Sequence, residues 1–274
     1  GRSAHGHYGD AVEEMDWGVG QVMDMLDRYG MTHNTFVDFT SDHGGDPNEK
    51  QSSIGQVVGG NNGIFWGSKG DGGTEGSIRA ASIIRWPAGG VAAGGVIHEP
   101  VSLMDVMPTV ASLLNVSDVT AGHVMDGISL LPLLTGQETV SPHEFFFHYC
   151  QNSVHAVRYR PRTGDTVWKL ALREPDRNDT SPMMSRCEAA RNLDPPRLYD
   201  LKSDPAATSP LDPEQHSEVT SKMLNALKDH QQSLEPVPSQ FALHRLLWRP
   251  WNQPCCNFPK CVCEDEKFSG MFEN

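Results

Sequence analysis

The residues with the clearest capacity for chemistry are Asp42 and His43, which follow a short apolar segment and precede two glycines. Residues 36–40 are rich in Phe, Val and Thr, which favour a buried strand, and the glycine pair predicts a turn after it. Ligands of open α/β sheets bind just beyond the carboxyl ends of strands, where these side chains would lie. A carboxylate beside a second donor suits a divalent cation there. Taken alone, the simpler interpretation is favoured: an acid that opens a turn and a solvated histidine.

The elements around this pair are typical of an α/β domain. Residues 8–29 repeat apolar side chains at three- and four-residue spacing, which predicts a helix that Gly30 ends. A helix followed by a strand fits a crossover onto a largely parallel sheet. A second strand is predicted at residues 83–86 and a second helix at 103–114. The glycine-rich residues 44–77 between the strands form a loop of a length that is usually functional or disordered.

The second half of the chain has a different character. Short strand-like segments alternate with polar turns, which predicts a small antiparallel sheet with strands at residues 145–150, 154–159, 167–172 and 197–201. A helix with one apolar face follows at residues 213–232 and would cover this sheet. We therefore expect two domains: residues 1–138 as the C-terminal part of an α/β catalytic domain, and residues 139–274 as a sheet, a helix and a cysteine-rich tail.

Length and charge exclude several classes of function. With 274 residues the chain can bury a substantial core, and its formal net charge of −13 argues against a nucleic-acid binder. No apolar run approaches the roughly 18 residues that a membrane-spanning helix needs, so no span is predicted in this segment.

The cysteines and sequons indicate an oxidising compartment. Four cysteines lie near the C-terminus, at positions Cys255, Cys256, Cys261 and Cys263. Adjacent cysteines do not fit the paired knuckles of a zinc site, so two disulfides are favoured over zinc. Sequons at Asn115 and Asn178 agree with the secretory pathway. Because the chain begins at Gly1 without an export signal, we expect it to be N-terminally incomplete.

The order of motifs along the chain resembles the sulfatase family. After the acid-tipped strand come Gly63-Ile64-Phe65-Trp66-Gly67-Ser68-Lys69, then Glu75-Gly76-Ser77-Ile78-Arg79, then Arg85-Trp86-Pro87. The closing Pro250-Trp251-Asn252-Gln253-Pro254-Cys255-Cys256 is similar to the branch that contains steryl-sulfatase and its arylsulfatase relatives. The likeness covers almost the whole chain, but about the second half of a family member.

The resemblance implies a fold and a chemistry. Sulfatases resemble alkaline phosphatases in the parallel sheet that carries their site, and they hydrolyse sulfate esters with a formylglycine nucleophile and a divalent cation. By this resemblance Asp42 and His43 are two ligands of a Ca²⁺ ion, and Lys69 is a catalytic residue that contacts the sulfate or the leaving oxygen. The implied substrate is a small-molecule or glycan sulfate ester. Such a cation and lysine would stabilise charge on the sulfate oxygens.

The chain lacks two features of the family pattern. It contains no Cys-x-Pro-x-Arg or Ser-x-Pro-x-Arg motif, from which the nucleophile would derive, nor the paired aspartates that complete the metal site. We expect the formylglycine in the missing N-terminal half and expect this chain alone to be inactive. The resemblance also suggests Cys255–Cys261 and Cys256–Cys263 disulfides, and Cys150–Cys187 is a third candidate.

Several other polar residues are expected to be structural. Glu75 and Arg79 should brace the loop to the sheet through ion pairs. Asp105 fits the start of a helix, and Asp126 a turn. Four histidines are also not favoured as catalytic groups, namely His5, His7, His148 and His155. Two other functions remain open: a non-catalytic, truncated luminal or secreted binding protein, and a metal-dependent phosphoesterase.

Overall fold

The computed structural model describes residues 3–47, 49, 58–116, 124–176 and 183–235. The described residues up to Asp229 belong to one compact unit, and residues 230–235 belong to a second. The four C-terminal cysteines, and with them the two disulfides predicted there, lie outside the described residues, as does the sequon residue Asn178. The domain boundary at residue 138 stays a prediction.

The first half contains the predicted helix and two strands. Helix α1 spans Gly6–Arg28, and Gly30 follows it with a φ of +66°, a conformation that glycine adopts without strain. Strands β1 (Val37–Thr40) and β2 (Ser82–Arg85) pair antiparallel, with Phe39 opposite Ile83. The parallel neighbours expected for β1 are not among the described strands, and its one described partner, β2, runs antiparallel to it.

Three short helices follow in this half. Helix α2 (Glu75–Ile78) ends the glycine-rich loop, α3 (Val106–Leu113) follows a 3₁₀ turn at Leu103–Asp105, and α4 is Leu131–Leu134. The carboxylate of Asp105 accepts a hydrogen bond from the backbone N–H of Ser102 at 2.8 Å. This hydrogen bond caps the 3₁₀ turn that leads into α3, so Asp105 lies at the start of a helix, as predicted. The same buried carboxylate also binds Nε2 of His143 at 2.6 Å.

The second half forms the predicted antiparallel sheet of four strands. Their spatial order is the chain order, β3 (Phe145–Cys150), β4 (Ser153–Tyr159), β5 (Trp168–Glu174) and β6 (Arg191–Asp200). Helix α6 (Ser217–Ser233) packs on one face of the sheet through Met223, which is fully buried. The opposite face carries cationic side chains, of which Arg158 and Lys169 are cross-strand neighbours.

Two features of this half were not predicted. Strand β6 begins at Arg191 rather than near residue 197, because Arg191 pairs with Glu174 beyond a register shift between Ala171 and Arg173 of β5, opposite Pro195 and Pro196. Prolines are tolerated there since β6 is an edge strand and the shift leaves them outside the regular ladder. Helix α5 (Met183–Ala189) lies in a segment without an apolar period long enough to indicate a helix.

Candidate active site at the end of the first strand

The structure brings the side chains of Asp42 and His43 together at the end of β1. Oδ2 of Asp42 lies 3.3 Å from Nε2 of His43, and the two side chains are 81% and 35% exposed. Both therefore face solvent-accessible space rather than the core. Right-angled ligands on a Ca²⁺ ion with bonds of about 2.3–2.6 Å lie about 3.3–3.7 Å apart, so the two donors fit neighbouring positions on one cation.

The backbone fixes which nitrogen of His43 can bind a cation. Nδ1 of His43 lies 2.7 Å from the carbonyl oxygen of Gly44. A carbonyl can only accept, so Nδ1 is the nitrogen that carries the proton in the neutral ring. The lone pair is then on Nε2, the atom that faces Asp42. Metal-binding histidines are commonly oriented by a hydrogen bond of this type from the other ring nitrogen.

Lys69 lies in the glycine-rich loop beside this pair. Its backbone N–H donates to the carbonyl oxygen of Gly45 at 3.2 Å, two residues after His43. Within the part of the chain that the structure describes, its ammonium group has no hydrogen-bonding or ion-pair partner. A lysine without a paired carboxylate is free to meet an anionic ligand.

Asn62 joins the loop of Lys69 to the end of β1. Its Oδ1 accepts from the N–H of Gly45, while its Nδ2 donates to the carbonyl oxygens of Gly45 and Gly67, all at 2.9 Å. Gly44 is equally constrained, because a Cβ atom there would lie 1.8 Å from the carbonyl oxygen of Gly76. The strand end, the loop and helix α2 are therefore held in one arrangement.

Glu75 anchors helix α2 to the cationic face of the antiparallel sheet. Its buried carboxylate binds Arg158 and Lys169, each at 2.9 Å, and Arg79 at 2.7 Å. Burial alone would raise the pKa of Glu75, but the three cations outweigh it and hold the pKa well below the usual range. Burial lowers the pKa of Lys169, and Glu75 opposes that shift. The ion pairs expected of Glu75 and Arg79 are thus present.

Burial lowers the pKa values of two histidines on the same sheet. Burial, aided by Arg158 and Lys169, lowers the pKa of His148 to about 3. Burial, aided by Arg173, lowers the pKa of His155 to about 4. Among the described residues, Nε2 of His148 and Nδ1 of His155 have no hydrogen-bond partner. His155 is buried and His148 is half-buried, and the structural role expected of both stays a prediction.

The remaining sequence predictions have simple outcomes. Cys150 and Cys187 form a disulfide with Cα atoms 5.5 Å apart, so this candidate bridge is confirmed. Asp126 is exposed, as are His5 and His7. No cluster of three or more His, Cys, Asp or Glu side chains that could hold a metal ion occurs within the described ranges. Asp42 and His43 are thus two donors rather than a complete set.

Sequence reasoning missed four polar residues that shape the site. Asn62 stands among glycines, where an amide is as often solvated, and only its three hydrogen bonds identify its role. Arg158 and Lys169 occupy strands whose alternation alone marks them as exposed, although their side chains are 12% and 5% exposed. Arg186 lies on α5, which was not predicted.

Three family models match this chain. A sulfatase model matches residues 2–116, and a model of the C-terminal region of aryl-sulfatase matches residues 141–263. A third model, the C-terminal part of N-sulphoglucosamine sulphohydrolase, matches residues 73–176. The chain belongs to the sulfatase family.

Curated relatives narrow the resemblance to one branch. The chain is 42% identical to human arylsulfatase D over 278 residues, which cover 97% of the chain and 46% of that protein. It is 40% identical to human steryl-sulfatase over 282 residues, or 97% of the chain and 47% of that protein. The chain thus spans about half the length of the curated relatives it matches.

Solved structures support the expected alkaline-phosphatase-like fold. A sulfatase from a Pseudoalteromonas species aligns with a TM-score of 0.67 at 23% identity, over 81% of this chain and 42% of that chain. A Bacteroides thetaiotaomicron protein from a locus for glycosaminoglycan metabolism aligns with a TM-score of 0.65 at 25% identity, over 85% and 46%. Both likenesses again span about half of the longer chain.

Proposed function

We propose that the complete gene product hydrolyses sulfate esters, and that Asp42, His43 and Lys69 belong to its active site. The observation that carries this proposal is that Asp42 Oδ2 lies 3.3 Å from an oriented His43 Nε2, beside a loop whose Lys69 has no ion-pair partner among the described residues. Membership of the sulfatase family gives this arrangement its chemical interpretation. The substrate would be a small-molecule or glycan sulfate ester.

Asp42 and His43 would hold a divalent cation, which supplies charge stabilisation for the sulfate oxygens when bound. The carboxylate favours a hard cation such as Ca²⁺, while the imidazole also accepts softer ions. Asp42 contributes the negative charge, and the hydrogen bond from Nδ1 of His43 to Gly44 keeps Nε2 available as a donor. With two donors among the described residues, we expect the cation to bind weakly to residues 1–274 alone.

Lys69 would bind a sulfate oxygen or the leaving oxygen of the ester. An ammonium without a carboxylate partner attracts the anionic sulfuryl group, and it stabilises charge that increases in the transition state. The nucleophile implied by the family is a formylglycine, and none of the cysteines in this sequence stands in the motif that yields it. We therefore propose that residues 1–274 alone do not turn over sulfate esters.

The Cys150–Cys187 disulfide supports a location in the secretory pathway, since such bonds persist in oxidising compartments. Among the described helices, none combines the length and the apolar character that crossing a bilayer requires.

The test is an assay of the complete gene product with 4-nitrophenyl sulfate. We expect hydrolysis in the wild type, and kcat/KM reduced by about 10²–10³-fold in Asp42→Asn and in Lys69→Ala. Asp24→Asn and Lys228→Ala, two exposed residues of the same types on helices α1 and α6, serve as matched controls. A wild-type protein that hydrolyses 4-nitrophenyl phosphate but not the sulfate would overturn the proposal in favour of a phosphoesterase.

A further inference from the structure

Lys69 occupies the centre of a tight turn. The N–H of Asp71 donates to the carbonyl oxygen of Ser68 at 3.0 Å, which closes a four-residue turn with Lys69 and Gly70 in the middle. Gly70 has a φ of +89°, as the third residue of a type II turn requires. The direction of the lysine side chain therefore depends on how firmly this turn is held.

Arg186 binds both ends of the turn. Oδ2 of Asp71 accepts hydrogen bonds from the backbone N–H and the hydroxyl of Ser68, at 2.7 and 2.9 Å. Nη1 of Arg186 donates to Oγ of Ser68 at 2.8 Å and lies 3.6 Å from Oδ1 of Asp71. The side chains of Arg186 and Asp71 are 10% and 12% exposed, so water competes little for these contacts.

A disulfide holds the helix of Arg186 against the same turn. Cys187, the next residue of α5, is bonded to Cys150 at the end of β3. Their sulfur atoms lie 3.4 and 3.6 Å from the carbonyl oxygen of Gly70. The turn is thus enclosed by the guanidinium on one side and the disulfide on another, and both belong to the second half of the chain.

We propose that Arg186 is a positioning residue for Lys69, and that the Cys150–Cys187 disulfide keeps Arg186 in place. This inference rests on the proposed role of Lys69 in sulfate-ester hydrolysis. A charged group stabilises a transition state best when its orientation is fixed before the reaction. Arg186 supplies that fixation by tying Ser68 to Asp71 around the lysine, while Lys69 is the group that meets the substrate.

A double-mutant cycle in the complete gene product tests the inference with 4-nitrophenyl sulfate. We expect Lys69→Ala to lower kcat/KM by about 100-fold and Arg186→Ala by about 10-fold. Because Arg186 acts through Lys69, the double variant should be no slower than Lys69→Ala alone. A double variant about 1,000-fold slower than the wild type would show that Arg186 acts independently, and would overturn the inference.

A second readout does not require activity. The lysines of residues 1–274 are labelled by reductive ¹³C-methylation, and the NMR line width of Lys69 reports its mobility. We expect a narrower Lys69 signal in Arg186→Ala and an unchanged one in Arg191→Ala, a matched control whose side chain is 66% exposed. An equal line width in Arg186→Ala and the wild type would overturn the inference.

Two outcomes separate this inference from the proposed function. If the wild-type gene product hydrolyses no sulfate ester, the proposed function fails while the mobility of Lys69 still tests the positioning. If Arg186→Ala does not fold, Ser68→Ala replaces it, because this change removes the hydroxyl that Arg186 binds and leaves the guanidinium. We expect the same narrowing of the Lys69 signal in Ser68→Ala, and its absence would contradict the proposal.

Discussion

The carboxylate of Glu75 accepts a hydrogen bond at 2.9 Å from the ammonium group of Lys169, which lies 94 residues later in the chain. Arg158, the cross-strand neighbour of Lys169, binds the same carboxylate. The antiparallel sheet and the glycine-rich loop are thus joined by one buried acid, so the second half of the chain fixes the position of the loop that carries Lys69.

The first prediction concerns this acid. Glu75→Gln removes the charge that offsets buried Lys169 and Arg158, and we expect the free energy of unfolding to fall by about 3–5 kcal/mol in urea titrations. Glu144→Gln is the matched control, because Glu144 is 35% exposed and Lys222 is its one ion-pair partner among the described residues. We expect it to cost at most about 1 kcal/mol. Equal losses in both variants would argue against the anchoring role of Glu75.

The second prediction compares two adjacent asparagines. Asn62 donates to the carbonyl oxygens of Gly45 and Gly67, whereas Asn61 accepts from the N–H of Gly63. Asp can accept but cannot donate, so Asn62→Asp should lower the free energy of unfolding by about 1–3 kcal/mol. Asn61→Asp should change it by less than about 0.5 kcal/mol. A similar loss of unfolding free energy at both positions would show that Asn62 does not join the loop of Lys69 to the end of β1.

The third prediction is a dependence of stability on pH. The pKa of His148 is about 3 in the folded protein, against 6.5 as its ordinary value. As pH falls below 6.5 the unfolded chain binds a proton that the folded chain does not, so stability declines towards pH 3, by up to about 1.4 kcal/mol per pH unit. Stability is therefore highest on the neutral side of this window.

Urea unfolding of the wild type and of His148→Leu between pH 4 and 7 measures this effect. The variant should show a shallower slope, because one of the groups that binds a proton only on unfolding is gone. An unchanged slope would mean that His148 has the same pKa in the folded and unfolded states, and would contradict the prediction.

Local patterns predicted much of this fold. The apolar spacing of residues 8–29 and the short aromatic run at residues 145–150, followed by a polar turn, identified α1 and β3 to within two residues, because both signals are local in sequence. The first part of β6 was not predicted, because Pro195 and Pro196 interrupt the local strand pattern. The pairing of Arg191 with Glu174 depends on the partner strand rather than on local sequence.

The candidate site also contains residues that motifs in the sequence identify and residues that only the fold identifies. The roles of Asp42, His43 and Lys69 were inferred from the resemblance of the surrounding motifs to the sulfatase family, and they stay predictions. Asn62 and Arg186 were missed, since their roles depend on contacts with loops and turns distant in sequence, such as that of Arg186 with Ser68, 118 residues away. Motifs identify groups that perform chemistry, whereas the residues that hold them in place are identified by the fold.

The most direct test of the proposed cation site of Asp42 and His43 beside Lys69 is a Mn²⁺ titration of residues 1–274 followed by NMR. The paramagnetic ion broadens signals of nearby nuclei, so the imidazole of His43 and the amides of Gly45 and Lys69 should broaden together at the lowest Mn²⁺ concentrations. Asp42→Asn should abolish this broadening, while Asp24→Asn, at an exposed acid on α1, should preserve it. Broadening that begins elsewhere, or that persists in Asp42→Asn, would contradict the assignment of Asp42 and His43 to a cation site beside Lys69.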